Sequence, residues 1–228
     1  MNNYYSSKLS AERLKQVYEI ATPRIKQYLD AELNYVLDKI NPTNVVLDLG
    51  CGYGRIFPSL AKKSKIVIGI DYSYSNLFLA KEIFGNLSNC YSSQMNAVEL
   101  AFPNNIFDTV VCIQNGISAF HVNQLDLIRE CIRVTKPNGM IFFSSYSEKF
   151  WNPRLEWFQL QSNASLLGKI DYEKTHNGVI VCKDGFTATT VGIDQFKKLT
   201  GGIDNIRVNI EEIDESSVFC TIIPVDKY

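Results

Sequence analysis

The stretch VVLDLGCGYGR, residues 45–55, passes directly from a block of aliphatics into three glycines at alternate positions. Val45, Val46 and Leu47 read as a strand buried on both faces, and Asp48 stands where that strand ends. Gly50, Gly52 and Gly54 then make a turn open freely only to residues without a Cβ. Ile56, Phe57, Leu60 and Ala61 follow at helical spacing. A strand, a glycine turn and a helix start form the place where an open α/β sheet holds a ligand.

Working outward, the N-terminal side carries two helices. Ser10 is placed to cap a short one bearing Leu14, Val17, Tyr18 and Ala21. Thr22-Pro23 starts another, with threonine as cap and proline at the first position, and Asn41-Pro42 ends it. Its stripe is Ile25, Tyr28, Leu29, Leu33, Val36, Leu37 and Ile40. On the C-terminal side, strand and helix patterns alternate. KIVIGID is a second strand, YSNLFLAKEIFG a helix, and residues 89–92 a short third strand. FDTVVCIQ is the fourth, residues 123–135 a helix, and MIFFSSY the fifth strand after a turn at Pro137-Asn138-Gly139. Such alternation demands a parallel sheet with helices on both faces. VIVCKDGFTATTV reads as a hairpin around Asp184-Gly185, and Asp194–Leu199 as a helix. The strands NIRVNIEEI and SVFCTIIP, joined by a short polar turn, must be antiparallel. The expected fold is therefore α/β: a doubly wound, mostly parallel seven-stranded sheet ending in an antiparallel pair, with an N-terminal helical extension and a β-hairpin insertion.

The chain has 228 residues, 46% of them hydrophobic, which suits one domain with a full core. A net charge of −1 offers no basic field to draw it to nucleic acid or an acidic membrane. Six cysteines without a CxxC pair, and only two histidines, give a zinc site no support. The cysteines sit in apolar runs, as small core residues of a reducing interior do. No signal-like or membrane-spanning run is present, so the expectation is a soluble, cytoplasmic protein, a monomer or homodimer.

The spacing after Gly50 narrows the ligand. A dinucleotide fingerprint is GxGxxG, and here its third small position is Arg55. The spacing is GxGxG, with Asp48 ahead of it, a poor neighbour for pyrophosphate and a good one for a cation. Asp71 ends the second strand about 20 residues on, where a carboxylate accepts both ribose hydroxyls. The alternative for Asp71 is a helix cap.

At these residues the sequence resembles the class I S-adenosylmethionine-dependent methyltransferases, of Rossmann-like fold. VLDLGCGYG resembles the first motif, GIDYS the second, FPNNIFDTVVCIQN the fourth strand with its lead-in, and RVTKPNGMIFFSS the fifth. The resemblance covers roughly residues 43–146. It implies S-adenosyl-L-methionine as cofactor and S-adenosyl-L-homocysteine as product. It also implies that Asp48 and the backbone of Gly50, Cys51, Gly52 and Gly54 hold the methionine portion. Asp71 would take the ribose hydroxyls and Tyr72 would lie against the adenine. Asn96-Ala97 stands where the family usually has an acid for the adenine amino group, and Asn96 keeps only a neutral carbonyl for it. Gln114 and Asn115 would lie beside the methyl group. Within a single domain, 1–42 would be a helical lid and 43–146 the cofactor-binding core. Residues 147–192 would be a substrate-side insertion, and 193–228 the final helix and antiparallel strands.

The sulfonium is already a strong methyl donor, so positioning and a dry pocket are the main requirements. His121 is the base candidate, with a capping role as its alternative. The Asn-Pro-Pro-aromatic signature of nucleobase methyltransferases is absent after the fourth strand, where QNGI stands. This favours a small-molecule acceptor with a nitrogen, oxygen or sulfur nucleophile. Tyr4, Tyr5, Arg24, Tyr146 and Trp151 are the substrate-binding candidates, whereas Tyr18 and Tyr28 read as packing. Two other readings stand beside transfer: a cofactor-binding regulatory domain, and a nicotinamide-dependent oxidoreductase.

Overall fold

A computed structural model describes residues 4, 8–176 and 178–226 of the chain. The N-terminal helices are α1 (Glu12–Glu19) and α2 (Pro23–Leu37). The core then runs β1 (Val45–Leu49), α3 (Phe57–Lys63), β2 (Ile66–Asp71), α4 (Tyr74–Phe84), β3 (Cys90–Gln94) and β4 (Phe107–Cys112). A single turn α5 (Gly116–Ala119), α6 (Gln124–Val134) and β5 (Thr135–Tyr146) complete it. After it come α7 (Trp151–Asn163), the hairpin β6 (Ile180–Val181) and β7 (Thr187–Ala188), α8 (Ile193–Thr200), β8 (Ile206–Ile213) and β9 (Ser217–Pro224).

Among the described residues the main sheet has seven strands in the order β3-β2-β1-β4-β5-β9-β8. The first five are parallel, and β9 lies antiparallel between β5 and β8. Chain order reverses between β1 and β4, which makes the crevice above their C-terminal ends the ligand position of such a sheet. Side-chain alternation sets the two faces. Leu47, Val110 and Phe143 pack with α6 and α8, while their neighbours Val46, Val111 and Phe142 pack with α2, α3 and α4. All six are fully buried, as strands covered on both sides require. The turn at 137–139 survives as an irregularity inside β5: Asn138 has φ +63° and the register with β4 shifts between Phe107 and Thr109.

A third apolar cluster lies off the sheet. Val17, Ile25 and Tyr28 of the N-terminal helices pack on Phe150, Trp157, Phe158 and Phe186 of the insertion. Residues far apart in sequence thus form one cap over the β-strand ends. Thr22 caps α2 as its sequence implies, accepting from the Ile25 amide at 3.4 Å with Pro23 in the first turn. Ser10 does not cap α1. Ala11 stands at that position with φ +51° and turns its N–H to Asn76 Oδ1 at 2.6 Å, while Ser10 Oγ accepts from Ser75. The tie to α4 removes Ser10 from the helix end. No helix among the described residues is long and apolar enough to cross a membrane.

Candidate functional site: a capped crevice at the sheet switch point

A cavity of about 780 Å³ lies between the strand ends and the cap. Its floor is the glycine turn. The Gly50 and Cys51 amides both donate to Ile70 O at 2.8 Å, fastening the turn to β2. Gly50 has φ +79°, and a Cβ there would stand 2.5 Å from the Phe120 ring. The glycine is required both by the backbone and by the space.

Asp48 stands at this floor, 4% exposed, and its Oδ2 has no hydrogen-bond partner. Burial pushes its carboxyl up to about 7; Arg55 pulls it down and Asp71 adds to the rise. Arg55 has a buried Nη2 without a partner, and its guanidinium lies 4.7 Å from the Tyr18 ring centroid. Asp71 is fixed more completely. Its Oδ2 accepts from the Gly52 amide at 2.9 Å; its Oδ1 accepts from the Ser73 amide at 2.7 Å and from Asn76 Nδ2 at 3.2 Å. Burial raises its pKa against those three bonds. The cap of α4 is Ser73, so Asp71 is not the helix cap.

Tyr72, Asn96 and Ala97 line the same cavity, as do Gly50, Cys51 and Gly52. Asn96 Oδ1 already accepts from the Val98 amide at 3.3 Å, which commits part of its carbonyl to its own loop. His121 lines the cavity from the turn after α5, exposed and with φ +52°. Gln114 has φ +57°, and its amide donates to Glu32 Oε2 and Ser144 Oγ, each at 2.8 Å. Its side-chain Oε1 accepts from Tyr18 OH at 3.0 Å over the cavity.

Several expected residues stand elsewhere. Gly54 shapes the turn with φ +78° beside Phe57 and does not line the cavity. Asn115 is turned away: its Nδ2 donates to Thr189 O and its Oδ1 accepts from Ser145 Oγ, which ties β5 to the insertion. Arg24 pairs with Asp214 at 2.6 Å and lies over Phe150, outside the lining. Trp151 packs on the cap from outside, because α7 turns Trp157 and Phe158 inward instead. Tyr5 lies outside the described residues. Tyr4 and Tyr146 do line the cavity; Tyr4 OH donates to Asp184 Oδ2 at 2.6 Å. Tyr28 is core, whereas Tyr18, expected to pack, lines the site.

Sequence reasoning did not single out Glu32 or Gln161. Glu32 is fully buried, held by Gln114 N and by Ser217 Oγ at 2.7 Å. The available signal was an acid on an apolar stripe, one turn after Tyr28 and one before Val36. Gln161 carries the same kind of signal, one turn after Trp157.

The glycine turn and the strand ends that floor this cavity fall within a segment that matches a known family. Residues 46–139 match the family model described as a methyltransferase domain. Over those residues the chain is similar to the class I S-adenosylmethionine-dependent methyltransferases. A ubiquinone biosynthesis O-methyltransferase of Histophilus somni is 29% identical over 143 residues, 60% of this chain and 56% of that protein. One of Aliivibrio fischeri is 35% identical over 118 residues, 50% of this chain and 49% of that protein. The chain thus spans about half the length of the curated relatives it matches. Among solved structures, a SAM-dependent methyltransferase of Aquifex aeolicus superposes with a TM-score of 0.62 at 15% identity, over 92% of this chain and 98% of that one. DhpI, solved as its SAH complex, gives 0.64 at 15% identity, with 100% of both chains covered. The methyltransferase domain supplies the floor of the cavity, and the N-terminal helices and the insertion supply its roof.

Proposed function

We propose that this protein transfers the methyl group of S-adenosylmethionine to an oxygen of a small-molecule acceptor. The observation that carries the reading is the pair of carboxylates on neighbouring strand tips, Asp48 and Asp71, set beside the glycine turn in one cavity. A buried carboxylate oxygen without a partner suits an ammonium group, and Asp48 Oδ2 is such an atom. Arg55 would face the carboxylate of the same amino-acid tail. Asp71, oriented by Gly52, Ser73 and Asn76, would accept the ribose hydroxyls. Tyr72 and Ala97 would border the adenine, with the Asn96 carbonyl on its amino group.

The cofactor, when bound, supplies an electrophilic methyl group. The chain's own residues then orient the acceptor, exclude water and take up a proton. Trp157, Phe158 and Tyr146 line the cavity and would shield the acceptor from water, and His121, which also lines it, would accept the acceptor's proton. The names of the relatives support oxygen as the methylated atom, and the size of the cavity supports a small acceptor.

Calorimetric titration with S-adenosylhomocysteine and with NAD tests the reading. S-adenosylhomocysteine binds and NAD does not; the reverse result overturns it. Asp71→Ala weakens S-adenosylhomocysteine binding by about 1.5–3 kcal/mol, the scale of a lost hydrogen bond to a charged group. An unchanged affinity would show that the ribose is held elsewhere.

A further inference from the structure

A buried acid stands behind the cavity, unused by the chemistry proposed above. Glu32 lies on α2, outside the segment that matches the family model, is fully buried and does not line the cavity. Both of its oxygens are engaged. Oε2 accepts from the Gln114 amide at 2.8 Å and Oε1 accepts from Ser217 Oγ at 2.7 Å. A carboxylate taken wholly out of water is costly, and an apolar residue on this stripe of α2 would avoid the cost. What the acid supplies in return is an acceptor for one backbone N–H.

That N–H belongs to a strained position. Gln114 and Asn115 follow β4 with φ +57° and +64°, and neither is a glycine. Successive left-handed residues of this kind persist only where their surroundings hold them. Asn115 is held through its side chain, by Thr189 O and Ser145 Oγ. Gln114 is held through its amide, by Glu32 and by Ser144 Oγ, so its side chain is left to the cavity. There its Oε1 accepts from Tyr18 OH at 3.0 Å. The Tyr18 ring lies 4.7 Å from the Arg55 guanidinium, whose buried Nη2 has no hydrogen-bond partner among the described residues. With its hydroxyl tethered, Tyr18 presents a fixed ring face, and a planar guanidinium stacked on that face keeps its donors in one orientation.

We infer that Glu32 is a positioning residue for the cofactor's amino-acid tail: it fixes the Gln114 backbone, Gln114 holds Tyr18, and Tyr18 aims the Arg55 guanidinium at the tail carboxylate. This assignment rests on the methyltransferase reading above. Glu32 itself makes and breaks no bond in the reaction.

Two nucleosides that differ in the tail test it: S-adenosylhomocysteine, which carries it, and 5′-methylthioadenosine, which does not. Calorimetry on the full chain should show Glu32→Met weakening S-adenosylhomocysteine about tenfold, with 5′-methylthioadenosine within about twofold of wild type. Glu32→Gln keeps an acceptor for the Gln114 amide and should return S-adenosylhomocysteine to within about threefold of wild type. Tyr18→Phe keeps the ring and loses the hydroxyl. It should weaken S-adenosylhomocysteine about threefold, and add little when combined with Glu32→Met. It also carries the test should Glu32→Met fail to fold. Equal weakening of both nucleosides, as a loosened fold would give, overturns the assignment. So does unchanged S-adenosylhomocysteine binding, or a Gln variant as weak as the Met variant. Failure of the wild type to bind S-adenosylhomocysteine overturns the methyltransferase reading itself; wild-type binding with any of the other adverse results overturns only the role of Glu32.

Discussion

Asp48 shows how a single side chain would couple the fold to the proposed cofactor. Burial, opposed by Arg55 and reinforced by Asp71, brings its carboxyl to about 7, so near neutral pH the ligand-free site is partly protonated. A cationic ammonium favours the ionised form, and binding must expel that proton at lower pH. S-adenosylhomocysteine should therefore bind more tightly as pH rises from about 6 to 8, approaching tenfold per unit at the acid end. Titration in two buffers of different ionisation heat should show proton release near pH 6, and Asp48→Asn should abolish both effects. A flat affinity profile in the wild type would place the ammonium elsewhere. Asp48 and Asp71 were legible in sequence because their positions follow from local spacing on two adjacent strands. Asn115 was not: it follows directly on Gln114, but consecutive left-handed residues turn its amide toward Thr189 and Ser145.

The N-terminal helix α1 is an element held by others. Asn76 accepts from the Ala11 amide through Oδ1 and donates to Asp71 through Nδ2, so one buried amide joins the start of α1 to the carboxylate proposed to hold the ribose. At the other end, Trp157 Nε1 donates to Val17 O at 3.0 Å. Asn76→Ala should weaken S-adenosylhomocysteine binding by about 1 kcal/mol and speed hydrogen exchange across Glu12–Glu19. Unchanged exchange would show that the Trp157 end alone secures the helix. The elements themselves were largely visible in sequence, from the glycine turn to the final strand pair, since period and turn residues are local signals. The phase of α7 was not. Its aromatics occur at 151, 157 and 158, and only packing against α1 and α2 decides that Trp157 and Phe158 face inward and Trp151 does not.

Across the whole molecule, Glu32 joins α2 to the end of β4 and to β9 through one buried carboxylate. Burial raises it from 4.5 to about 7 despite hydrogen bonds from Ser217, Ser144 and the Gln114 amide. The folded state thus keeps a proton that the unfolded chain releases, and stability falls as pH rises from about 4.5 through about 7. Asp48 acts in the same direction. Glu130, Asp184, Glu212 and Asp214 are shifted downward, so their contributions rise with pH but are complete by about pH 5. Urea midpoints should therefore decline between about pH 5.5 and 8, and Glu32→Gln should flatten that decline whatever its effect on absolute stability. A midpoint that rises across this window would contradict the assignment. The sequence by itself determined the order of strands and helices, the sheet class and the two carboxylates at the strand tips, because each depends on spacing within a few residues. Only the tertiary structure decided which side chains roof the cavity and which polar groups are left unpaired within it. Those outcomes depend on contacts between segments more than a hundred residues apart, such as Trp157 with Val17, and no local period records them.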